Sequence, residues 1–485
     1  MKSKLLTKVM ACTIVGSMIF AGCGATDTAE ETTTTVDANE TYSNNEDGGH
    51  AIEVSGEEQT YSNIKVTKTG EADGDEADFY GENSAIFATD GATLTLSDIV
   101  VETNGTHANA VFSYGEGTTV NISDSTITTS GNCSGGLMTT GGGTMNASNL
   151  VISTSGNSSA AIRSDRGGGT VNVEGGTYST SGTGSPAIYS TADITVSEAS
   201  LTSTASQGVV VEGNNSVTLN NVTLDANNNT KNSDKSDYYQ AVMIYQSMSG
   251  DADEGEASFT MTDGSLTNAN EDIFFITNPV ATINLENVDI TNNGDGVFLR
   301  AAAAGWGNEG SNGGQANLYA NNQTVNGDMI VDEVSKLNLY LQSGSNYTGA
   351  INTDGEAGEV YVDLSDGAKW TLTGDSYITS LTCESDSIDL NGYTLYVNGT
   401  AYTEGTATTG TALTLESTGG SGDGNKPDGA PGETPSGEKP DGEAPSGEAP
   451  SGDAPSGEKP SGDAPSGKPG DGNEPPTGEK PADKK

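Results

Sequence analysis

Acidic side chains form the densest set of chemically competent residues in this sequence. One run of carboxylates lies within residues 70–80 and comprises Glu71, Asp73, Asp75, Glu76 and Asp78. Carboxylate oxygens are the ligands that hard cations take, so this run predicts a candidate Ca²⁺ site. A second run of carboxylates, at residues 251–256, follows several repeats later. Neither run has the residue order of an EF-hand loop, and a solvated acidic loop is the alternative.

Residues suited to catalysis are scarce. The chain has only two histidines, His50 and His107, and its arginines stand at positions 163, 166 and 300. Ser-Asp-Arg at 164–166, beside a Gly-Gly-Gly turn, comes nearest to a basic site, and an ion pair in a tight turn explains it equally well. We therefore predict no catalytic residue, no enzymatic activity and no required cofactor.

One position of a recurring apolar segment carries large side chains. Its occupants in five successive repeats are Phe87, Phe112, Met138, Arg163 and Tyr189. The residue before each is aliphatic and is expected to point inward, so alternation along a strand would turn these side chains outward. Exposed rings in register suit stacking on sugar rings, with Arg163 available for a hydroxyl or carboxylate. The alternatives are that inward and outward are exchanged, or that a loop covers the rings.

A longer repeat positions these residues. Between Leu94 and Leu390 an aliphatic residue, a Thr or Asn, and a second aliphatic recur about a dozen times, with another apolar residue seven positions after the first. Leu94-Thr95-Leu96 followed by Val101 is one copy, and Ile388-Asp389-Leu390 followed by Leu395 is the last. Period-two alternation is typical of a half-buried strand. Each repeat therefore contains a first strand with the large side chains, a second strand, and a third.

Stacked coils are the solution for such a repeat, because no single copy can bury its own apolar face. The coils vary in length, carry insertions and lack a hexapeptide rhythm. The predicted fold is all-β, a right-handed parallel β-helix of three strands per coil and about 13 coils over residues 49–417. An antiparallel sandwich or propeller is the alternative. With 32% apolar residues and a formal charge of −49, composition alone would suggest disorder, but the periodicity overrides it.

Two insertions interrupt the link between first and second strands. They span residues 246–257 and 301–315, two coils apart, and should emerge on the same side of the helix. Insertions on one face of a solenoid often form its binding face. Tyr245 and Trp306 lie in or beside them and are further candidates for ligand contact. An end cap or a dimer contact is the alternative.

The two ends of the chain differ from the repeats. Residues 1–22 combine three lysines with a short apolar stretch that ends at Ala21-Gly22 before Cys23, and this resembles a bacterial lipoprotein signal. The resemblance implies lipidation of Cys23, export, and anchoring on the outer face of the cytoplasmic membrane; an ordinary secretory signal is the alternative. Residues 23–48 are predicted to be a flexible spacer. Residues 418–485, with Pro at intervals of five, are predicted to be a disordered tail.

Cysteine spacing indicates neither a disulfide nor a metal site. Cys133 and Cys383 lie about ten coils apart, beyond the reach of a disulfide, and no metal-type Cys spacing occurs.

The predicted architecture resembles the pectin-lyase-like superfamily, but the basic and aspartate clusters of its lyases and hydrolases are missing. The lipobox, the Asn/Thr/Ser/Gly-rich coils and the acidic Pro-rich tail resemble more closely the adhesin-like β-helix lipoproteins and surface proteins of anaerobic Gram-positive bacteria. That resemblance implies a non-catalytic, surface-exposed adhesin that binds polysaccharide or host or plant glycans, and no nucleic acid. A polysaccharide lyase or hydrolase and a purely structural surface protein are the alternatives. An anionic polysaccharide would be repelled unless divalent cations bridge it.

Overall fold

The computed structural model describes residues 38–355 and 358–416 as a parallel β-helix. Three strands make a coil, and each strand of the three long sheets pairs in parallel with its counterpart in the next coil. The longest sheet has 13 strands, so the predicted fold class and the predicted number of coils are confirmed. The right-handed sense stays a prediction.

Three long sheets and two short ones contain the strands. The first-strand sheet comprises Ile52–Ser55, Ile86–Thr89, Val111–Tyr114, Leu137–Thr140, Ile162–Ser164, Ile188–Ser190, Val209–Glu212, Gln240–Tyr245, Asp272–Thr277, Leu299–Ala301 and Met329–Val331. The second-strand sheet comprises Glu58–Ser62, Thr93–Ser97, Thr119–Ser123, Gly143–Ser148, Gly169–Glu174, Asp193–Ser197, Ser216–Asn220, Glu256–Thr262, Val280–Glu286, Gln315–Asn321, Lys336–Gln342, Glu359–Leu364 and Ser380–Cys383. The third-strand sheet comprises Glu40–Asn44, Ile64–Lys68, Val100–Thr103, Thr126–Thr129, Val151–Thr154, Thr177–Thr180, Ser200–Ser203, Thr223–Ala226, Ser265–Asn268 and Asp289–Asn292.

The remaining elements are short. A four-stranded sheet contains Thr324–Asn326, Asn346–Thr348, Lys369–Thr371 and Ile388–Asp389, and a three-stranded sheet contains Ser376–Ile378, Leu395–Val397 and Thr400–Ala401. The one helix in the described ranges is Asp75–Phe79. Over those same ranges, no helix is both long and apolar enough to cross a membrane.

Register between coils makes the core continuous. Val120, Met145 and Val171 pair directly across three successive second strands, and all are buried. On the outward side of the same strands, the Asn146 amide donates to Asn121 Oδ1 at 3.0 Å, and the Asn172 amide donates to Asn146 Oδ1 at 3.0 Å. The outward Asn side chains therefore form a ladder along the sheet, and it satisfies amides that a sheet face would otherwise leave to water.

A left-handed residue explains the constant offset of seven. Along most of the β-helix, second and third strands are joined by a turn of one or two residues, whose first residue has a φ between 48° and 57° wherever it is not glycine. Asn and Asp tolerate this conformation better than most side chains, so they dominate the position. Its non-glycine occupants are Asn63, Asp98, Asp124, Asn149, Glu198, Asn221, Asp263, Asn287 and Asn322.

The β-helix begins earlier than predicted. Glu40–Asn44 pairs in parallel with Ile64–Lys68, so the coils begin before the predicted boundary at residue 49 and the spacer prediction is wrong for these residues. Tyr42 packs edge-to-face on Tyr61 at 5.6 Å between ring centroids. The buried Lys68 Nζ donates to Asn44 Oδ1 and to two backbone carbonyls, which fixes the first coil.

The last predicted copy of the repeat is assigned to the wrong strands. Ile388–Asp389 follows Ser380–Cys383, the final second strand, and pairs with Trp370 in the four-stranded sheet, so it occupies a third-strand position. Leu395 pairs with Ser376 in the three-stranded sheet. The error arises because these coils are short, and an offset of seven then joins a third strand to the strand after it.

A second turn, between third strands and the following first strands, has a repeated buried hydrogen-bond pattern. In the sequence Thr-Ser-Gly-x-x-Ser the Thr hydroxyl donates to the carbonyl of the final Ser, as for Thr154 and Ser159 at 2.5 Å. The Ser159 hydroxyl also donates to Gly131 O and accepts the Ser134 N–H from the preceding coil. We refer to the turn at this position of each coil as the Ser turn, including residues 103–108, in which Asn104 and Ala108 stand in place of the two Ser residues.

Replacing the buried Ser159 with alanine should destabilise the protein by about 1–3 kcal/mol, because it leaves the Ser134 N–H buried without a partner. The measurement is the free energy of unfolding in urea. The matched control is Ser153→Ala, an exposed position in the adjoining third strand, which should change that free energy by less than about 0.5 kcal/mol. Equal effects of the two substitutions would contradict the role of the Ser turn.

Candidate functional site

Four insertions flank the first-strand sheet. Residues 246–255 and 302–314 join first strands to second strands, as predicted, and residues 69–85 and 227–239 join third strands to first strands. The insertions therefore leave the coils at both ends of the first strands. Between them lie two adjoining cavities of about 330 and 140 Å³ that share Gly184, Pro186, Tyr189, Asn232 and Tyr245. We name this pair of cavities the outer groove.

The first three members of the predicted ligand face are buried. Phe87, Phe112 and Met138 are at most 8% exposed, so the prediction that they contact a ligand directly is wrong. The covering element is the 69–85 insertion, because a Cβ built on Gly81 would lie 2.8 Å from the Phe87 ring. The Thr140 hydroxyl also donates to the Phe79 carbonyl of this insertion at 2.7 Å. The first-strand sheet is here buried on both faces.

The other two members, Arg163 and Tyr189, are half-buried and line the groove. Arg163 Nη2 lies 2.7 Å from Asp165 Oδ2. The hydroxyls of Tyr189 and Tyr245 lie 3.1 Å apart, and both donate to Glu212 Oε2. Burial raises the pKa of Asp165, opposed by Arg163, and burial also raises the pKa of Glu212.

Aromatic rings surround the smaller cavity. Tyr245 and Trp306 meet edge-to-face at 5.2 Å between centroids, and Tyr238 packs on the buried Phe275 at 5.3 Å. Trp306 and Tyr238 belong to different insertions, which a hydrogen bond from Gly305 N to Lys235 O at 2.7 Å holds together. The predicted ligand candidates Tyr245 and Trp306 are therefore brought to one cavity, and Tyr238 joins them.

Arg166 fastens two insertions to each other. Its guanidinium stacks on the Phe79 ring at 3.8 Å and reaches Asp75 Oδ2 at 3.4 Å in the 69–85 insertion. The same guanidinium lies 2.9 Å from Asp251 Oδ1 in the 246–255 insertion. Arg166 of the Ser-Asp-Arg segment is thus ion-paired, but its acidic partners come from distant parts of the chain and not from a tight turn.

Arg163 lines the outer groove, and Arg166 and Arg300 contact residues that line it, although the chain as a whole is strongly acidic. Each is already paired, since Arg300 donates to the buried Asp272 at 2.5 Å while it lies 4.1 Å from the Tyr238 ring centroid. The paired charges fix the groove walls and leave little uncompensated positive charge to attract an anion.

The acidic run at residues 71–78 does not gather into a cation cage. Its members are Glu71, Asp73, Asp75, Glu76 and Asp78, and no three of them bring ligand atoms within 4.8 Å of one another. Asp75 faces Arg166 instead, and Ca²⁺ takes six to eight oxygen ligands. The predicted lipidation site, Cys23, lies outside the described residues.

Sequence reasoning missed a convergence of Asp78, His107 and Cys133. One ligand atom from each residue lies within 4.8 Å of the ligand atoms of the other two. The three residues meet at the end of the outer groove nearest the short α-helix Asp75–Phe79. His107 and Cys133 occupy the same position of the Ser turn in successive coils. Aligning Thr-Asn-Gly-Thr-His-Ala at 103–108 with Thr-Ser-Gly-Asn-Cys-Ser at 129–134 would have revealed it.

Comparison with known proteins returned no match: no protein-family model, no curated protein and no solved structure matches this chain.

Substitution of Glu212 by Gln should alter how stability depends on pH. Because the pKa of Glu212 is raised in the folded state, its stabilising contribution is present below the ordinary value of 4.5 and is lost as pH rises through the folded value. The unfolding free energy of the wild type should therefore fall relative to that of Glu212→Gln above this pH, by at most about 1.4 kcal/mol per pH unit. Urea unfolding of both proteins at a series of pH values from below 4.5 upward measures this difference in unfolding free energy. The exposed control, Glu116→Gln, should show the same pH dependence of the unfolding free energy as the wild type.

Proposed function

We propose that this protein is a non-catalytic glycan-binding β-helix whose ligand lies in the outer groove. The observation that carries the proposal is the set of half-buried rings of Tyr189, Tyr238, Tyr245 and Trp306 around one open cavity. Aromatic faces with polar rims suit sugar rings, which are apolar on their C–H faces and polar at their edges. Asn232 and Gln207 supply amides at the same cavity for hydroxyl groups.

The length of the groove favours an oligosaccharide segment. Its floor extends along four neighbouring first strands, through Arg163, Tyr189, Val210 and Met243. At about 4.8 Å between strands this is a span of about 15 Å. Several linked sugar rings could therefore be held side by side, which suits a polysaccharide better than a single sugar.

Charge favours a neutral glycan. The arginines of the groove are paired with Asp165, Asp251 and Asp272, so they offer hydrogen-bond donors without a free positive charge. The chain as a whole has a formal charge of −49, which would repel an anionic polymer. A cation that bridges two anions would be needed for an acidic polysaccharide.

Polysaccharide cleavage is the second candidate, supported by the raised pKa values of Asp165 and Glu212. Both carboxyl groups are engaged, however. Glu212 lies beneath the hydroxyls of Tyr189 and Tyr245 and does not line either cavity. Asp165 is held by Arg163 and by the backbone N–H of Arg166. Binding without turnover is therefore the better-supported function.

A position at the cell surface is part of the same proposal. The lipoprotein-like segment at residues 1–23 would place the β-helix outside the cell, attached through a lipid on Cys23. Glycans of a host, of plant material or of neighbouring cells are the ligands that a protein in this position would meet. A purely structural surface protein would have no need of the aromatic cavity.

A glycan array probed with the full chain, with and without Ca²⁺, should identify a neutral oligosaccharide ligand. Titration calorimetry with that ligand should then show affinity at least about fivefold lower for Trp306→Ala, because a stacked ring contributes on the order of 1 kcal/mol or more. Tyr393→Ala, which removes an exposed ring away from the groove, is the matched control and should bind normally.

Two results would overturn the proposal. One is equal binding by wild type and Trp306→Ala, which would place the ligand on another face. The other is the release of unsaturated or reducing-end products from the bound oligosaccharide, which would make the protein an enzyme.

A further inference from the structure

We propose that Asp78, His107 and Cys133 form a binding site for one Zn²⁺-class transition-metal ion. The site lies at the end of the outer groove nearest the short α-helix Asp75–Phe79. This site is separate from the aromatic cavity, and it does not depend on glycan binding. The soft thiolate and the imidazole distinguish it from the Ca²⁺ site predicted from the acidic run, since Ca²⁺ takes oxygen ligands.

The backbone of the Ser turn brings two of the three ligands together. His107 and Cys133 both have a left-handed φ, of 58° and 52°, and they occupy the same turn position in neighbouring coils. The His107 N–H donates to Asn132 O, and the Cys133 N–H donates to Asn157 O, so each turn rests on the next. Their side chains therefore leave the coils in the same direction, about 4.8 Å apart.

The third ligand comes from the insertion that covers the first-strand sheet. Asp78 belongs to the helix Asp75–Phe79, and its Oδ1 lies 3.5 Å from His107 Nδ1. His107 is only 4% exposed, and its Nδ1 has no hydrogen-bond partner within the described residues. A buried ring nitrogen that faces a carboxylate and a thiol without such a bond is the second observation in favour of a metal, because coordination would satisfy it.

The ligand set matches the preferences of zinc. Thiolate, imidazole and carboxylate bind Zn²⁺ at about 2.3, 2.0 and 2.1 Å, so the three ligand atoms must draw slightly closer than the 4.8 Å within which they now lie. Asp78 can supply the movement, because 31% of its side chain is exposed. Asp78 and Cys133 also line the 330 Å³ cavity, so a fourth coordination position would open into the outer groove.

Metal binding would join the covering insertion to the coils beneath it. Two ligands belong to the Ser turns and the third belongs to the 69–85 insertion, so one ion would cross-link them. An ion that binds the folded state raises its stability by mass action. Zinc should therefore raise the thermal midpoint of unfolding, and Asp78→Asn should reduce that increase.

The test uses the full chain, stripped with a chelator and then loaded with Zn²⁺ or Co²⁺. After dialysis, elemental analysis should find one equivalent of metal, and the Co²⁺ form should show a thiolate-to-metal charge-transfer band. Cys133→Ser should abolish the band and weaken metal affinity at least about tenfold, and His107→Asn should weaken it similarly. Both variants should fold, because Ser occupies the same turn position at residue 158 and Asn tolerates a left-handed φ.

The control variants use the other cysteine and the other histidine of the described chain. Cys383→Ser and His50→Asn should retain one equivalent of metal and the charge-transfer band. The proposal is overturned if the wild type retains no metal after dialysis. It is also overturned if the band survives in Cys133→Ser, since another thiol would then be the ligand.

Discussion

Parallel pairing between coils, with each residue directly above its counterpart, is the constraint on which the rest of this structure depends. It turns a modest content of apolar residues into a continuous core, because Val120, Met145 and Val171 bury one another across coils. It converts single outward amides into ladders. It also places each turn residue beside the residue at the same position of the next coil, and in this way it brings His107 beside Cys133.

The same constraint determines how much could be predicted from the sequence. Period-two alternation and the constant offset report the second and third strands directly, so fold class and coil number followed from them. The outward direction of Phe87 and Phe112 was inferred from the same alternation, but whether an outward residue is exposed depends on the path of an insertion. No local pattern encodes that path. The insertions at residues 246–255 and 302–314 were recognised because they interrupt the repeat.

The candidate sites show a second reason why prediction stopped short. Tyr245 and Trp306 were found because they lie in or beside insertions that interrupt the repeat, whereas Glu212 ends a strand of valines and no local pattern marks it. Cys133 was compared with Cys383 instead of with its own column. In a solenoid the informative neighbour of a residue lies one repeat away, so alignment of turns reveals chemistry that spacing along the chain conceals.

The bridge formed by Arg166 has a consequence for the order of folding. Its partners Asp75 and Asp251 lie 91 and 85 residues away along the chain, so neither contact is local. Contacts of such separation form only after the intervening coils have stacked, because loop closure over disordered chain is entropically costly. A solenoid can otherwise propagate coil by coil. The groove walls are therefore completed late, and a chain interrupted before residue 251 would have a β-helix with an unfinished groove.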